Sequence, residues 1–69
     1  MFDAKTMGKL IKQKREEAGL SVAKLAEQVF VSRQAVYRWQ RGFIMPSLDS
    51  LDLLADVLNC SVDELMGRR

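Results

Sequence analysis

Arg33, Gln34, Tyr37, Arg38 and Arg41 fall at i, i+1, i+4, i+5 and i+8 in the segment SRQAVYRWQRG. On a helix that spacing gathers them on one side and turns Val36 and Trp39 to the other. Arginine donates paired hydrogen bonds to guanine, and glutamine pairs in bidentate fashion with adenine. An apolar anchor behind a face of arginine and glutamine suits a helix lying in a DNA groove. Val36 spaced with Trp39 makes Trp39 a core residue rather than a base-stacking one. Tyr37 lies on the outer side, where DNA contact competes with plain exposure. Arg41 fits a phosphate contact or a helix C-terminal charge partner better than a base reader.

Catalytic chemistry has little to work with. There is no histidine and one cysteine, Cys60, so a Cys/His zinc site cannot be assembled. No phosphate-gripping glycine loop is present. No enzyme activity, cofactor or metal is expected. Cys60 reads as a small core residue rather than a reactive thiol. Without a disulfide partner it fits a reducing compartment.

The elements that would position the polar face are short helices. No segment sustains a period-two alternation, and there is no repeat or low-complexity tract. Helix 1 is expected from about Lys5 or Thr6 to Ala18, with Met7, Ile11 and Ala18 on one stripe and Leu10 beside it. Gly19 stops it in a left-handed conformation. Ser21 caps helix 2, which runs to about Gln28 with Leu25, Ala26 and Val29 inward. A break of about three residues, Val29–Val31, leads to Ser32, the cap of helix 3. Helix 3 runs from Arg33 to Arg41 with Ala35, Val36 and Trp39 inward, and Gly42 closes it. So short a break forces helices 2 and 3 to cross steeply, the geometry of a helix-turn-helix. After the apolar loop Phe43-Ile44-Met45-Pro46, Ser47 caps a fourth helix over Leu48–Leu58, with Leu51, Leu54, Ala55 and Leu58 inward. Asn59 takes the left-handed position that ends it. Ser61-Val62-Asp63-Glu64 is a capping box opening a last turn through Leu65 and Met66, and Gly67–Arg69 are expected to fray.

Length and charge agree with this picture. The 69 residues make one domain over 1–69, with an ordered core at about 5–66 and no room within it for a separate ligand-binding domain. An apolar content of 48% argues for a packed globule. No apolar run is long enough to cross a membrane. Lysines interrupt the N-terminus before a signal peptide could form, so a cytoplasmic location is expected. The net charge of +2 is split unevenly, +5 over residues 1–42 and −3 over residues 43–69. A basic front half suits a polyanion on one side, although lysines on helix 1 would also serve solubility.

With these pieces in place the chain resembles the phage-repressor and Cro-like helix-turn-helix family, often called the XRE family. The resemblance spans about Met7 to Met66. Its motifs are Arg15-Glu16-Glu17, Gly19-Leu20-Ser21, Leu25-Ala26, Val31-Ser32-Arg33-Gln34, Trp39-Gln40-Arg41-Gly42, Pro46-Ser47 and Ser61-Val62-Asp63-Glu64-Leu65. Each is weak alone, and their order and spacing together are specific. The resemblance implies an all-α, five-helix, lambda-repressor-like domain that binds double-stranded DNA, usually as a two-fold dimer. Helix 3 would enter the major groove. By position, Ser32, Arg33, Gln34, Tyr37 and Arg38 would meet base edges or nearby phosphates. Beside them Arg41, Ser21 and Lys24 are candidate DNA contacts: Arg41 as a phosphate contact, Lys24 or a backbone N–H as the helix 2 phosphate contact, and Ser21 first of all as a cap. The expected function is a sequence-specific transcriptional regulator, a repressor. The rival reading is a protein-interaction module of the same fold, such as an antitoxin, with weak DNA binding.

Three positions depart from the family pattern. Val22 stands where helix 2 commonly begins with a glutamine on the DNA backbone. Phe30 stands where the turn often has glycine, so the turn changes shape or Phe30 is strained. Gln40 replaces the acid that in relatives often pairs with the arginine at the position of Arg15, so Arg15 and Gln40 are expected to touch more weakly. Phe43 and Ile44, together with Leu53 and Val57 off the main stripe of helix 4, are the expected homodimer interface. The competing reading is that some of them complete a thin monomer core.

Overall fold

The computed structural model describes residues 3–68. It holds five helices, α1 (Ala4–Glu17), α2 (Val22–Gln28), α3 (Arg33–Arg41), α4 (Leu48–Val57) and α5 (Val62–Leu65), and no strand among the described residues. The four serines expected as caps all act as such. The hydroxyls of Ser21, Ser32, Ser47 and Ser61 accept from the amides of Lys24, Ala35, Ser50 and Glu64 at 3.0–3.2 Å. Glu64 closes its capping box by accepting from the Ser61 amide at 3.1 Å.

Two expectations about the ends are corrected. Helix 1 begins at Ala4, before Lys5, because Asp3 caps it, accepting from the Thr6 amide at 2.7 Å and the Thr6 hydroxyl at 3.0 Å. Gly67 and Arg68 are not frayed. Gly67 turns left-handed at φ 78°, its amide reaches the Glu64 carbonyl, and the Arg68 amide reaches the Asp63 carbonyl at 2.8 Å. Arg69 lies outside the described residues.

That closure repeats at every helix. A residue one or two positions past each end has positive φ, namely Gly19, Phe30, Gly42, Asn59 and Gly67. The next amide reaches back to a carbonyl five residues earlier: Leu20 to Arg15, Val31 to Ala26, Phe43 to Arg38, Cys60 to Ala55 and Arg68 to Asp63, all at 2.8–3.1 Å. This is the Schellman closure, in which a left-handed residue lets the chain satisfy the last carbonyls of a helix. Four of the five positions hold glycine or asparagine, the residues that tolerate this backbone. Phe30 does not belong to that class, so of the two outcomes expected for the turn, its shape is kept and the residue is strained.

Met7 and Ile11 of α1, Val22, Leu25 and Ala26 of α2 with Val29 at its end, Val36 and Trp39 of α3, Leu51, Leu54, Ala55 and Leu58 from α4 onward, and Leu65 of α5 form one buried cluster. Ala18, expected on the apolar stripe of helix 1, is exposed instead. It is the residue that ends α1 before the Gly19 turn, and the buried stripe stops at Ile11, about two turns earlier. The chief partner of α1 is α3. Their approach is set by Gly8, where a Cβ would collide with the Trp39 carbonyl oxygen and come within 2.6 Å of the Gln40 carbonyl oxygen. A glycine inside a helix costs about 1 kcal/mol of propensity relative to alanine. Here it lets the backbone of α1 touch the backbone of the helix that carries the polar face.

Candidate nucleic-acid interface

The face of α3 is built from behind. Val36 and Trp39 are buried, which fixes the rotation of the helix and leaves Arg33, Gln34, Tyr37, Arg38 and Arg41 exposed on the other side. Ser32, in an extended conformation, caps the start. Gly42 at φ 76° ends it with its amide on the Trp39 carbonyl. A surface depression of about 370 Å³ is lined by Gln34, Tyr37, Arg38, Arg41 and Phe43. Four of the expected contact residues therefore share one concavity. Arg33 sits at the first turn of the helix, outside it.

The charge on this face is uncompensated. Among the described residues no carboxylate pairs with Arg33, Arg38 or Arg41; the ion pairs instead involve Lys14, Arg15 and Lys24. From Gln28 to Leu48 there are three arginines and no acidic residue. The amides of the first turn of α3 have no partner within the helix, apart from the one Ser32 takes, and the helix dipole adds positive potential there. Such an end accepts a phosphate.

Ser21 and Lys24 lie at the start of α2. Ser21 is exposed and its oxygen is occupied as a cap, but its hydroxyl proton remains a donor, and the same holds for Ser32. The Lys24 ammonium lies 3.7 Å from a Glu27 carboxylate oxygen, an exposed pair that offers little resistance to a competing phosphate. Val22 is buried in the core. Its side chain serves packing and offers no hydrogen-bonding group to a DNA backbone.

Gln40 is half-buried behind the face. Its side-chain amide oxygen Oε1 accepts from Arg15 Nε at 2.8 Å, and Arg15 Nη1 also donates to the Leu20 backbone carbonyl at 2.8 Å. The contact expected between Arg15 and Gln40 is present as a hydrogen bond to a neutral acceptor.

The apolar residues expected at an interface between copies divide into two groups. Phe43 and Ile44 are exposed, as is Met45 between them and Pro46. Leu53 and Val57 are partly buried and pack against the core. Leu48, 84% exposed, joins the exposed group. Sequence reading passed over it as the first residue of a helix. The signal available was that it lies outside the Leu51, Leu54, Ala55 and Leu58 stripe.

Residues 11–65 match the family model described as Helix-turn-helix. An HTH-type transcriptional regulatory protein of Methanocaldococcus jannaschii is 46% identical over 48 residues, covering 70% of this chain and 15% of its own length. The HTH-type transcriptional activator BcrR of Enterococcus faecalis is 34% identical over 57 residues, covering 83% of this chain and 28% of its own. The chain thus spans less than a third of either relative. Among solved structures, the P22 c2 repressor in complex with a synthetic operator is similar at a TM-score of 0.84 and 33% identity, over 87% of this chain and 91% of that one. The matched region takes in α2, the turn and α3, and most of the packing that positions them. The chain belongs to the phage-repressor and Cro-like, or XRE-type, helix-turn-helix family.

Proposed function

We propose that the chain reads double-stranded DNA as the recognition domain of a transcriptional regulator, a repressor. The observation that carries this is the outward face of α3, with Arg33, Gln34, Tyr37, Arg38 and Arg41 exposed over a buried Val36–Trp39 anchor and no acid among them. In the major groove, Arg38 and Gln34 reach base edges, and Arg33 and Tyr37 reach edges or the adjoining phosphates. Arg41, Ser21, Ser32 and Lys24 hold the backbone. Phosphate contacts supply affinity and register, and base contacts supply sequence preference. The relatives include one named as an activator, so the sign of regulation depends on where the site lies relative to a promoter.

A second copy of the chain completes the unit. The exposed Phe43, Ile44, Met45 and Leu48 follow α3 directly, and pairing them would set two recognition helices side by side. Leu53 and Val57, partly covered by the core, would form the floor of that contact. Such a regulator acts in the compartment that holds the DNA, the cytoplasm of a prokaryotic cell. It needs no cofactor and no small-molecule ligand within this chain.

Selection of bound sequences from a random duplex pool tests the reading. The expected product is a pair of related half-sites about one helical turn apart. Recovery of no preferred sequence would overturn it and favour a protein-interaction role for the same fold.

A further inference from the structure

Five helix ends in this chain use the same left-handed closure, and four of them carry glycine or asparagine. The fifth, between α2 and α3, carries Phe30 at φ 62°, and its amide-to-carbonyl closure to Glu27, at 3.4 Å, is the longest of the set. Strain of this kind is ordinarily offset by packing of the side chain. Here the ring is 82% exposed, so the fold draws no compensation from it. An aromatic residue held at a position where glycine would be more stable, with its ring in solvent, marks a group used in contact with something else.

The surroundings of the ring specify what that is. Phe30 stands two residues before Ser32, the cap of α3. Two residues span at most about 7 Å, so whatever meets the start of α3 comes within reach of the ring. That start combines the first-turn amides that Ser32 leaves open with Arg33, inside a stretch of chain free of acidic residues from Gln28 to Leu48. A polyanion is favoured there, and a duplex offers apolar surface directly beside its phosphates. We propose that Phe30 is a DNA-contact residue whose ring packs on the apolar edge of the duplex, deoxyribose carbons or a thymine methyl, beside the phosphate at the start of α3. The proposal rests on the DNA-reading function above and adds a residue to it. It also accounts for the strain, because the ring is covered only in the complex.

Phe30→Gly and Phe30→Ala, tested against the wild-type chain on a duplex recovered by selection with the wild type, separate the possibilities. Phe30→Gly is expected to melt several degrees higher, because the left-handed position is relieved, and yet to bind about tenfold more weakly, the scale of one lost apolar contact. The salt dependence of binding is expected to stay as in the wild type, since no phosphate contact is lost. Phe30→Ala, which drops the ring and keeps the strain, is expected to lose the same affinity without the gain in melting temperature. Replacing thymines by uracil tells the source apart: a matching loss assigns the methyl, and no loss assigns the sugar. Duplex affinity unchanged in both variants, while the wild type binds, overturns the proposal alone and leaves the ring to a protein partner. A loss in Phe30→Gly that Phe30→Ala does not share also overturns it, because turn stiffness and not the ring would then be responsible. A wild type without salt-dependent duplex binding overturns the DNA-reading function itself, and this proposal with it.

Discussion

Arg15 at the end of α1 donates from Nε to the side-chain oxygen of Gln40 on α3, at 2.8 Å, while its Nη1 holds the Leu20 carbonyl at 2.8 Å. The arginine side chain is only 13% exposed. One cation thus ties α3, the end of α1 and the chain entering α2 into a single frame. The exposed face of α3 is aimed by this contact and by the Val36–Trp39 anchor.

A carboxylate at position 40 would turn that neutral hydrogen bond into a charge-assisted one, about twice as strong. The site lies between an exposed pair, worth about 0–1 kcal/mol, and a buried one. Gln40→Glu is therefore expected to stabilise the fold by about 1 kcal/mol and to raise the melting temperature by about 4–8 °C. Thermal unfolding by circular dichroism checks it, and an unchanged or lower midpoint would show that the Arg15–Gln40 contact does not carry the coupling between α1 and α3.

Gly8→Ala is expected to act the other way. Helix propensity alone would make it stabilising by about 1 kcal/mol. The added methyl meets backbone, the Trp39 and Gln40 carbonyl oxygens, which cannot rotate aside. Overpacking of this kind costs about 1–3 kcal/mol, so the net change is a loss. Denaturant unfolding of the variant is expected to give an earlier midpoint with a similar slope; a later midpoint would mean that α1 and α3 are not in backbone contact.

How far these features were legible follows from the range of the forces involved. The caps Ser21, Ser32, Ser47 and Ser61, the Arg33–Arg41 helix and the inward Val36 and Trp39 are set by neighbours three or four residues away, and sequence reading placed them. Gly8 is different. Its role depends on α3, thirty residues on, and by local propensity it looks like a defect. Val22 was weighed as a missing DNA contact, yet it is core, because its burial is decided by the elements packed over α2 and not by α2 itself. Asp3 went unread as a cap, since the apolar stripe that marks helix 1 begins only at Met7. The two outcomes left open for Phe30 could not be ordered from sequence, because the closure that holds its φ at 62° belongs to the helix end as a whole.

Acid is expected to loosen the α5 end first. Hydrogen bonds from the Ser61 backbone amide, then the Ser61 side chain, and the charge of Lys14 3.6 Å away hold the Glu64 carboxyl below its ordinary value of 4.5. A depressed folded value means that the contribution is fully present above about pH 4.5 and is lost as pH falls through the folded value. Asp3, whose carboxyl is lowered chiefly by the Thr6 amide, acts in the same direction at α1. Glu64→Gln is expected to flatten the fall in melting temperature below pH 4.5 while leaving a small loss at neutral pH, measured as melting temperature against pH. An unaltered acid limb would count against the capping box as its source.

Leu48→Glu tests the two-copy unit. At 84% exposure the residue adds nothing measurable to the monomer, and surface changes of this kind stay within about 0.5 kcal/mol. The variant is expected to keep the helical content of the wild type, to sediment as a monomer at micromolar concentration, and to lose affinity for paired half-sites. A wild type that stays monomeric at that concentration, with DNA present as well, would end the dimer proposal.

The salt dependence of duplex binding, measured on the wild type and on Arg38→Ala, addresses the central claim most directly. With about four phosphates neutralised, wild-type affinity is expected to fall about a hundredfold between about 50 and 200 mM salt. Arg38→Ala is expected to lose about 1–3 kcal/mol of preference for the selected site over a scrambled duplex, the worth of one bidentate base contact. Binding that ignores both salt and Arg38 would contradict the reading of α3 as the helix that enters the groove.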